Sequence, residues 1–162
     1  MTRGLTWGLK RSFRDYVAGI DDGRETADGG ARIDGAGFFF PLAHEGEVVR
    51  FSGRVALSAY SGLLELRIED PWVEREGEGW VLTILDPTSR SQPRARLPLC
   101  VLTETDSADD GDDGRGFRTL ETRLAPSGAR LFDGVYVPGS LLDPVRFVGV
   151  QPPSEIAAAT RG

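Results

Sequence analysis

Phe51-Ser52-Gly53-Arg54-Val55-Ala56-Leu57-Ser58-Ala59-Tyr60-Ser61-Gly62-Leu63-Leu64-Glu65-Leu66-Arg67-Ile68-Glu69-Asp70-Pro71 reads as two strands joined by a turn. Phe51, Gly53, Val55 and Leu57 alternate with Arg50, Ser52, Arg54 and Ala56, the period of two that puts one face in a core and the other toward water. Leu64, Leu66 and Ile68 repeat the pattern on the return strand. Ser61-Gly62 suits a tight hairpin turn. Asp70-Pro71 closes the unit, because proline cannot donate to a ladder.

Outward from this hairpin, short strands are expected at Phe38–Leu42, Trp72–Glu74, Trp80–Leu85, Ala95–Leu102, Arg118–Leu124, Leu131–Val137 and Val145–Val150. Turn residues separate them: Gly77/Gly79, Asp86-Pro87, Pro126-Ser127-Gly128 and Asp143-Pro144. Many short strands at regular spacing predict an antiparallel sandwich or barrel. One segment keeps a helical period instead. Leu9, Phe13, Tyr16, Val17 and Ile20 recur on one face, with Thr6 as N-cap, Leu5 before it, and Gly19 or Gly23 to stop the helix. Between helix and strands, residues 21–37 are rich in glycine and read as a loop with room for a short hairpin. A single domain over residues 1–150, followed by a flexible tail from 151 to 162, accounts for the whole chain.

Composition narrows the function. The chain has 162 residues, enough for one core, and is 40% hydrophobic and 27% charged, an ordinary globular balance. No apolar run is long enough to span a membrane as a helix, and Met1 directly before the domain predicts a cytoplasmic protein. A net charge of −6 with scattered basic residues argues against nucleic acid as a partner. Cys100 lies in an apolar run and reads as a buried small hydrophobe. With His44 the sole histidine and Cys100 the sole cysteine, clustered zinc ligands are lacking, and a Ser-His-Asp triad would have to use His44, near which nothing reads as a nucleophile elbow. The chain is therefore expected not to be an enzyme. The acidic loop Glu104–Gly116 lacks EF-hand spacing and reads as a solvated connection rather than a calcium site. Three tyrosines, Tyr16, Tyr60 and Tyr136, are the most informative polar aromatics, although spacing alone is equally met by rings that pack and expose their hydroxyls.

Three stretches together resemble the HtaA-type haem-binding domain: Leu5–Tyr16 with its Trp7, Lys10, Ser12-Phe13 and Tyr16; the hairpin Phe51–Pro71; and Tyr136–Phe147 with its Leu142-Asp143-Pro144. They follow the family's order over about residues 5–150. The resemblance implies a mostly-β fold, an antiparallel immunoglobulin-like β-sandwich with an N-terminal amphipathic α-helix. It also implies a ferric haem cofactor held by a tyrosine, here Tyr16, with Tyr136 from the closing segment. Family hairpins carry a histidine that hydrogen-bonds the ligating oxygen, where this chain has Ala59-Tyr60, so Tyr60 stands in that donor's place. On this reading Phe13 and Tyr136 wall the site, and Arg11, Arg14 or Arg54 meets the propionates. The other reading is a sandwich of the same kind that has lost haem and binds another planar small molecule or a protein partner.

Overall fold

The computed structural model describes residues 2–34, 37–104, 117–132 and 134–153. Among the described residues are twelve strands: β1 (Gly4–Trp7), β2 (Arg24–Asp28), β3 (Arg32–Asp34), β4 (Gly37–His44), β5 (Val48–Phe51), β6 (Arg54–Ala59), β7 (Leu64–Glu69), β8 (Trp72–Glu76), β9 (Gly79–Leu85), β10 (Arg96–Glu104), β11 (Phe117–Leu124) and β12 (Leu141–Val148). Two α-helical segments, α1 (Arg11–Ala18) and the single turn α2 (Pro126–Ala129), complete the set. The acidic connection read from the sequence lies, from residue 105 on, outside the described residues.

The strands form a barrel-like closed sheet rather than the expected immunoglobulin-like sandwich. In the order β1-β12-β11-β10-β9-β8-β5-β4 every neighbouring pair is hydrogen-bonded, and β1 also pairs with β4, which closes the ring; β3 is added on β4. A second sheet, β2-β6-β7, is only three strands wide. All pairings are antiparallel, as expected. The closing strand explains the difference. Leu5 and Trp7, 0% and 1% exposed, are alternate residues buried between β4 and β12, yet they precede a helical pattern that absorbs them when the sequence is read locally.

Thr6 is consequently in β1 and not a helix cap, and the domain opens on a strand. The helix begins only at Arg11, after Leu9 turns the chain in a left-handed conformation (φ 62°). Phe13 and Val17 are its buried residues, whereas Tyr16 is half exposed. The 21–37 segment holds two strands that join different sheets, β2 to β6 and β3 to β4.

The expected phase holds over β6 and β7, where Val55, Leu57 and Ala59 face Ile68, Leu66 and Leu64 and all six are buried, whereas Phe51, expected in the same strand as Val55, belongs to β5 in the large sheet. Pro144 behaves differently from its reading as a turn residue between strands. Pro144 lies inside β12, opposite a shift in the β11 register between Leu120 and Thr122. The buried Thr122 hydroxyl there accepts from the Val145 N–H at 3.1 Å and donates to the Leu120 carbonyl at 3.2 Å, supplying the partners the irregular ladder lacks. Pro98 sits at a similar irregularity in β10.

Leu131–Val137, expected as a strand, is instead a 3-10 turn at Arg130–Phe132 followed by an irregular connection. Pro126 sets the first position of α2, and the helical turn carries the chain past the point where a strand would begin. At the other end, Pro152 and Pro153 are buried and the Trp80 indole donates to the Pro153 carbonyl at 2.6 Å, while residues 154–162 of the expected tail lie outside the described residues.

Candidate functional site

The exposed face of α1 gathers all three tyrosines. Tyr16 projects from the helix with 50% exposure, and its hydroxyl lies 3.5 Å from that of Tyr60, itself 48% exposed, at the tip between β6 and β7. One helical turn earlier the Ser12 hydroxyl meets the Tyr136 hydroxyl at 2.7 Å. Four residues along a helix advance it by about 6 Å, so the two hydroxyl contacts are neighbours on one surface.

Aromatic packing fixes this surface from below. Phe13, 1% exposed, presents its ring edge-on to Phe132 (centroids 5.1 Å apart) and to Tyr136 (6.3 Å), and lies 6.4 Å from the Tyr16 ring. Phe132 in turn packs edge-on against Tyr136 at 5.5 Å. Phe13 is therefore the floor under the tyrosines rather than a wall open to a ligand.

The tip that carries Tyr60 is held in an unusual backbone. Tyr60 (φ 54°) and Ser61 (φ 56°) are both left-handed, a conformation that costs residues with a Cβ about 1–2 kcal/mol each. The Asp22 carboxylate, from the connection after α1, accepts the N–H of Tyr60 at 2.8 Å and of Ser61 at 2.6 Å. Those donors, Ser61 first, hold the Asp22 carboxyl below its ordinary range. Asp22 is placed by Gly23, where a Cβ would stand 1.8 Å from the Val17 carbonyl oxygen. The contact with Tyr16 raises the Tyr60 phenol above its usual value, and like any phenol near neutral pH it carries an O–H that can donate. At 3.5 Å that contact is longer than a well-formed O–H···O bond of about 2.5–3.0 Å.

Apolar side chains are exposed around the phenols. Leu63 beside the tip is 89% exposed, and Val135 and Val137 flanking Tyr136 are 57% and 68% exposed. A cleft of about 250 Å³ has both Leu63 and Leu131 in its lining, with Arg67 and Arg130 at its rim, so the tip and the segment before Tyr136 face each other. A larger cleft of about 640 Å³ lies along the other face of α1, lined by Arg11, Arg14, Asp15 and Ala18 together with Glu25, Ile33 and Asp143. No tyrosine lines either cleft, and the mixed charges of the larger one suit a flat apolar ligand poorly.

The HtaA family model matches residues 2–148. This chain belongs to the HtaA family. Among solved structures its fold is similar to the C-terminal domain of HtaA from Corynebacterium glutamicum, with TM-score 0.70 and 23% identity over 91% of this chain and 94% of that one. It is also similar to the N-terminal domain of the same protein, with TM-score 0.68 and 22% identity over 93% and 98%. The haem-binding protein HtaB of the same organism follows, with TM-score 0.63 and 19% identity over 90% and 92%. No curated protein matches the sequence.

Within this HtaA-family chain the arginines named from the sequence stand apart from the tyrosines. Arg14 is tied to Glu25 by two hydrogen bonds of 2.7 and 2.9 Å and stacks 4.3 Å over the Phe38 ring; the Glu25 hydrogen bond raises its pKa. Arg54 pairs with Asp28 at 2.7 Å at the start of β6, about 16 Å of strand away from the Tyr60 end. Arg11 is exposed and within 3.6 Å of Asp15 on its own helix.

The cations on the tyrosine side are others. Lys10 reaches 5.8 Å from the Tyr136 ring centroid and donates to the Leu141 carbonyl, and Arg130 and Arg67 rim the small cleft. Sequence reasoning gave no site role to Lys10, Arg130, Asp22 or Leu63, although Lys10 stands in the Leu5–Tyr16 stretch that carries the resemblance and Leu63 is a leucine on the polar phase read for the return strand. Among the described residues no three His, Cys, Asp or Glu side chains converge as a metal site, and no helix is long and apolar enough to cross a membrane.

Proposed function

We propose that this chain binds ferric haem on the face formed by Tyr16, Tyr60 and Tyr136, with the Tyr16 phenolate as the iron ligand and Tyr60 donating to its oxygen. The observation that carries the reading is the pair of half-exposed phenols meeting at 3.5 Å among exposed aliphatic side chains. The residues fit the group. A phenolate suits ferric iron, whose positive charge stabilises the deprotonated oxygen at neutral pH. Tyr60, protonated near neutral pH, supplies the neighbouring donor that a buried imidazole would otherwise supply. Leu63, Leu131, Val135 and Val137 offer apolar contact to a flat macrocycle. Arg14 and Arg54 are engaged with Glu25 and Asp28, so Lys10 and Arg130 are the better partners for carboxylates. The HtaA family match and the fold likeness to a haem-binding protein support the haem part of this reading.

A hemin titration followed in the visible spectrum tests it. The intact protein is expected to give a saturable Soret shift with a tyrosinate-type ferric spectrum, lost in Tyr16→Phe. Haem binding that is identical in Tyr16→Phe removes Tyr16 as the ligand. No binding by the intact protein at micromolar hemin overturns the haem reading and leaves the same face as a site for another planar molecule.

A further inference from the structure

We infer that Asp22 is a positioning residue for the tyrosine pair: by clamping the left-handed tip at Tyr60 and Ser61 it sets where the Tyr60 hydroxyl stands relative to Tyr16. The step from clamp to haem affinity rests on the proposed function, whereas the clamp itself does not.

Tyr16 and Tyr60 belong to elements distant in sequence, α1 and the β6–β7 tip. The connection that follows α1 carries Asp22 across to the tip, so one short segment ties both phenols into a single unit. Its two carboxylate oxygens divide the work, Oδ1 accepting from Tyr60 and Oδ2 from Ser61. In the left-handed backbone at Tyr60 its own N–H and that of Ser61 both reach the one carboxylate. Without the carboxylate, two residues that disfavour this conformation have no reason to keep it, and the Tyr60 ring leaves with its backbone. Gly62 next in the chain (φ 91°) already carries the turn that glycine makes easy, so the strain falls on the residue whose side chain matters. Asp22 touches neither hydroxyl and places Tyr60 through the tip, its charge adding only the smallest of the effects that raise the Tyr60 phenol.

Amide hydrogen exchange on the haem-free protein reads the clamp directly. In Asp22→Ala the amides of Tyr60 and Ser61 should exchange at least about 10-fold faster, in Asp22→Asn by an intermediate factor because the amide keeps one acceptor oxygen, while β9 and β10 amides stay unchanged. Alkaline titration of the phenols by absorbance should lose in Asp22→Ala the same late-titrating component that Tyr60→Phe removes, and keep most of it in Asp22→Asn, which removes the carboxylate charge but not the acceptor oxygen. Ser61→Gly, which accepts the left-handed conformation freely, should restore part of that component in the Asp22→Ala background, a rescue that a merely stabilising carboxylate would not allow. With hemin, Asp22→Ala should weaken binding by about 10-fold, the lower end of the range for loss of a ligand's supporting contact, with the Soret position kept.

Unchanged exchange at residues 60 and 61 overturns the clamp whether or not haem binds. Faster exchange with an unaltered phenol titration overturns the positioning role. Failure of the intact protein to bind hemin, with both haem-free effects present, overturns the proposed function and not this inference.

Discussion

Replacing Phe13 by alanine separates the floor of the site from its surface. Phe13 is 1% exposed, and rings of this kind bury roughly 150–250 Å². At about 25 cal/mol per Å², with the part of the side chain that alanine retains set aside, the transfer contribution is about 3 kcal/mol. The edge-on pairs with Phe132 and Tyr136 add about 1 kcal/mol, for a loss of about 4 kcal/mol, inside the range of about 3–5 kcal/mol found when buried phenylalanines are truncated. For 162 residues the unfolding entropy is about 0.34 kcal/mol/K, so Tm should fall by about 12 °C. Tyr16→Phe, one helical turn away, removes a hydroxyl whose one partner stands at 3.5 Å on an exposed face, and should lower Tm by no more than about 2 °C. Thermal unfolding followed by circular dichroism without hemin measures both. The haem titration should order them oppositely, with Tyr16→Phe losing the tyrosinate spectrum and Phe13→Ala keeping it at reduced affinity when measured well below its Tm. A Phe13→Ala shift under about 4 °C, or a Tyr16→Phe shift as large as that of Phe13→Ala, refutes the division into floor and surface.

Tyr60→Phe should keep the fold and weaken hemin binding about 10- to 100-fold, the usual effect of removing a ligand's hydrogen-bond partner; unaltered affinity in equilibrium titration counts against Tyr60 as the donor. Arg14 and Glu25, with side chains 18% and 22% exposed, should show a coupling of about 1–2 kcal/mol in a urea-melt double-mutant cycle, discounted from the buried-pair range for the solvent at their rim, and Arg14→Gln should leave the haem spectrum at saturation unchanged. Cys100, 0% exposed and with burial pushing its thiol pKa up, should react with a thiol reagent only after denaturant is added. Because the folded Asp22 carboxyl titrates below the unfolded one, near ~3.9, its clamp is complete from neutral pH down to about 5 and is lost only as pH falls through the lower folded value; opening of the tip at pH 6, read by amide exchange at Tyr60, would contradict this.

The hairpin was legible because its information is local. Val55, Leu57, Ala59, Leu64, Leu66 and Ile68 alternate over twelve residues, and the strands they form pair with each other across a short turn. Closure of the barrel was not, because it depends on β1 finding β12 and β4, partners more than 30 residues away that leave no mark on Leu5 or Trp7 themselves. The same reason explains Pro144. A proline stops a strand unless the neighbouring strand bulges opposite it, and the bulge is made by Thr122. Leu131–Val137 misled in the other direction, since apolar residues that face a site and a core at irregular intervals mimic a strand's composition without its pairing.

The candidate site divides along the same line. Its aromatics could be named from residue type and resemblance, whereas its charged partners depend on which carboxylate lies nearest. Arg14 and Arg54 are as basic as Lys10 and Arg130, but Glu25 and Asp28 already engage the first two, and no periodicity reveals that. Asp22 shows the point most sharply. In sequence it is one of two adjacent aspartates before a glycine, an ordinary turn; in the fold it joins the helix that carries one phenol to the strained tip that carries the other. A site built by exposing two phenols on separate elements needs a fixed distance between those elements more than it needs any further group at its surface. The tie supplying that distance is thus expected away from the ligand, in the connection between the elements, which is where Asp22 stands.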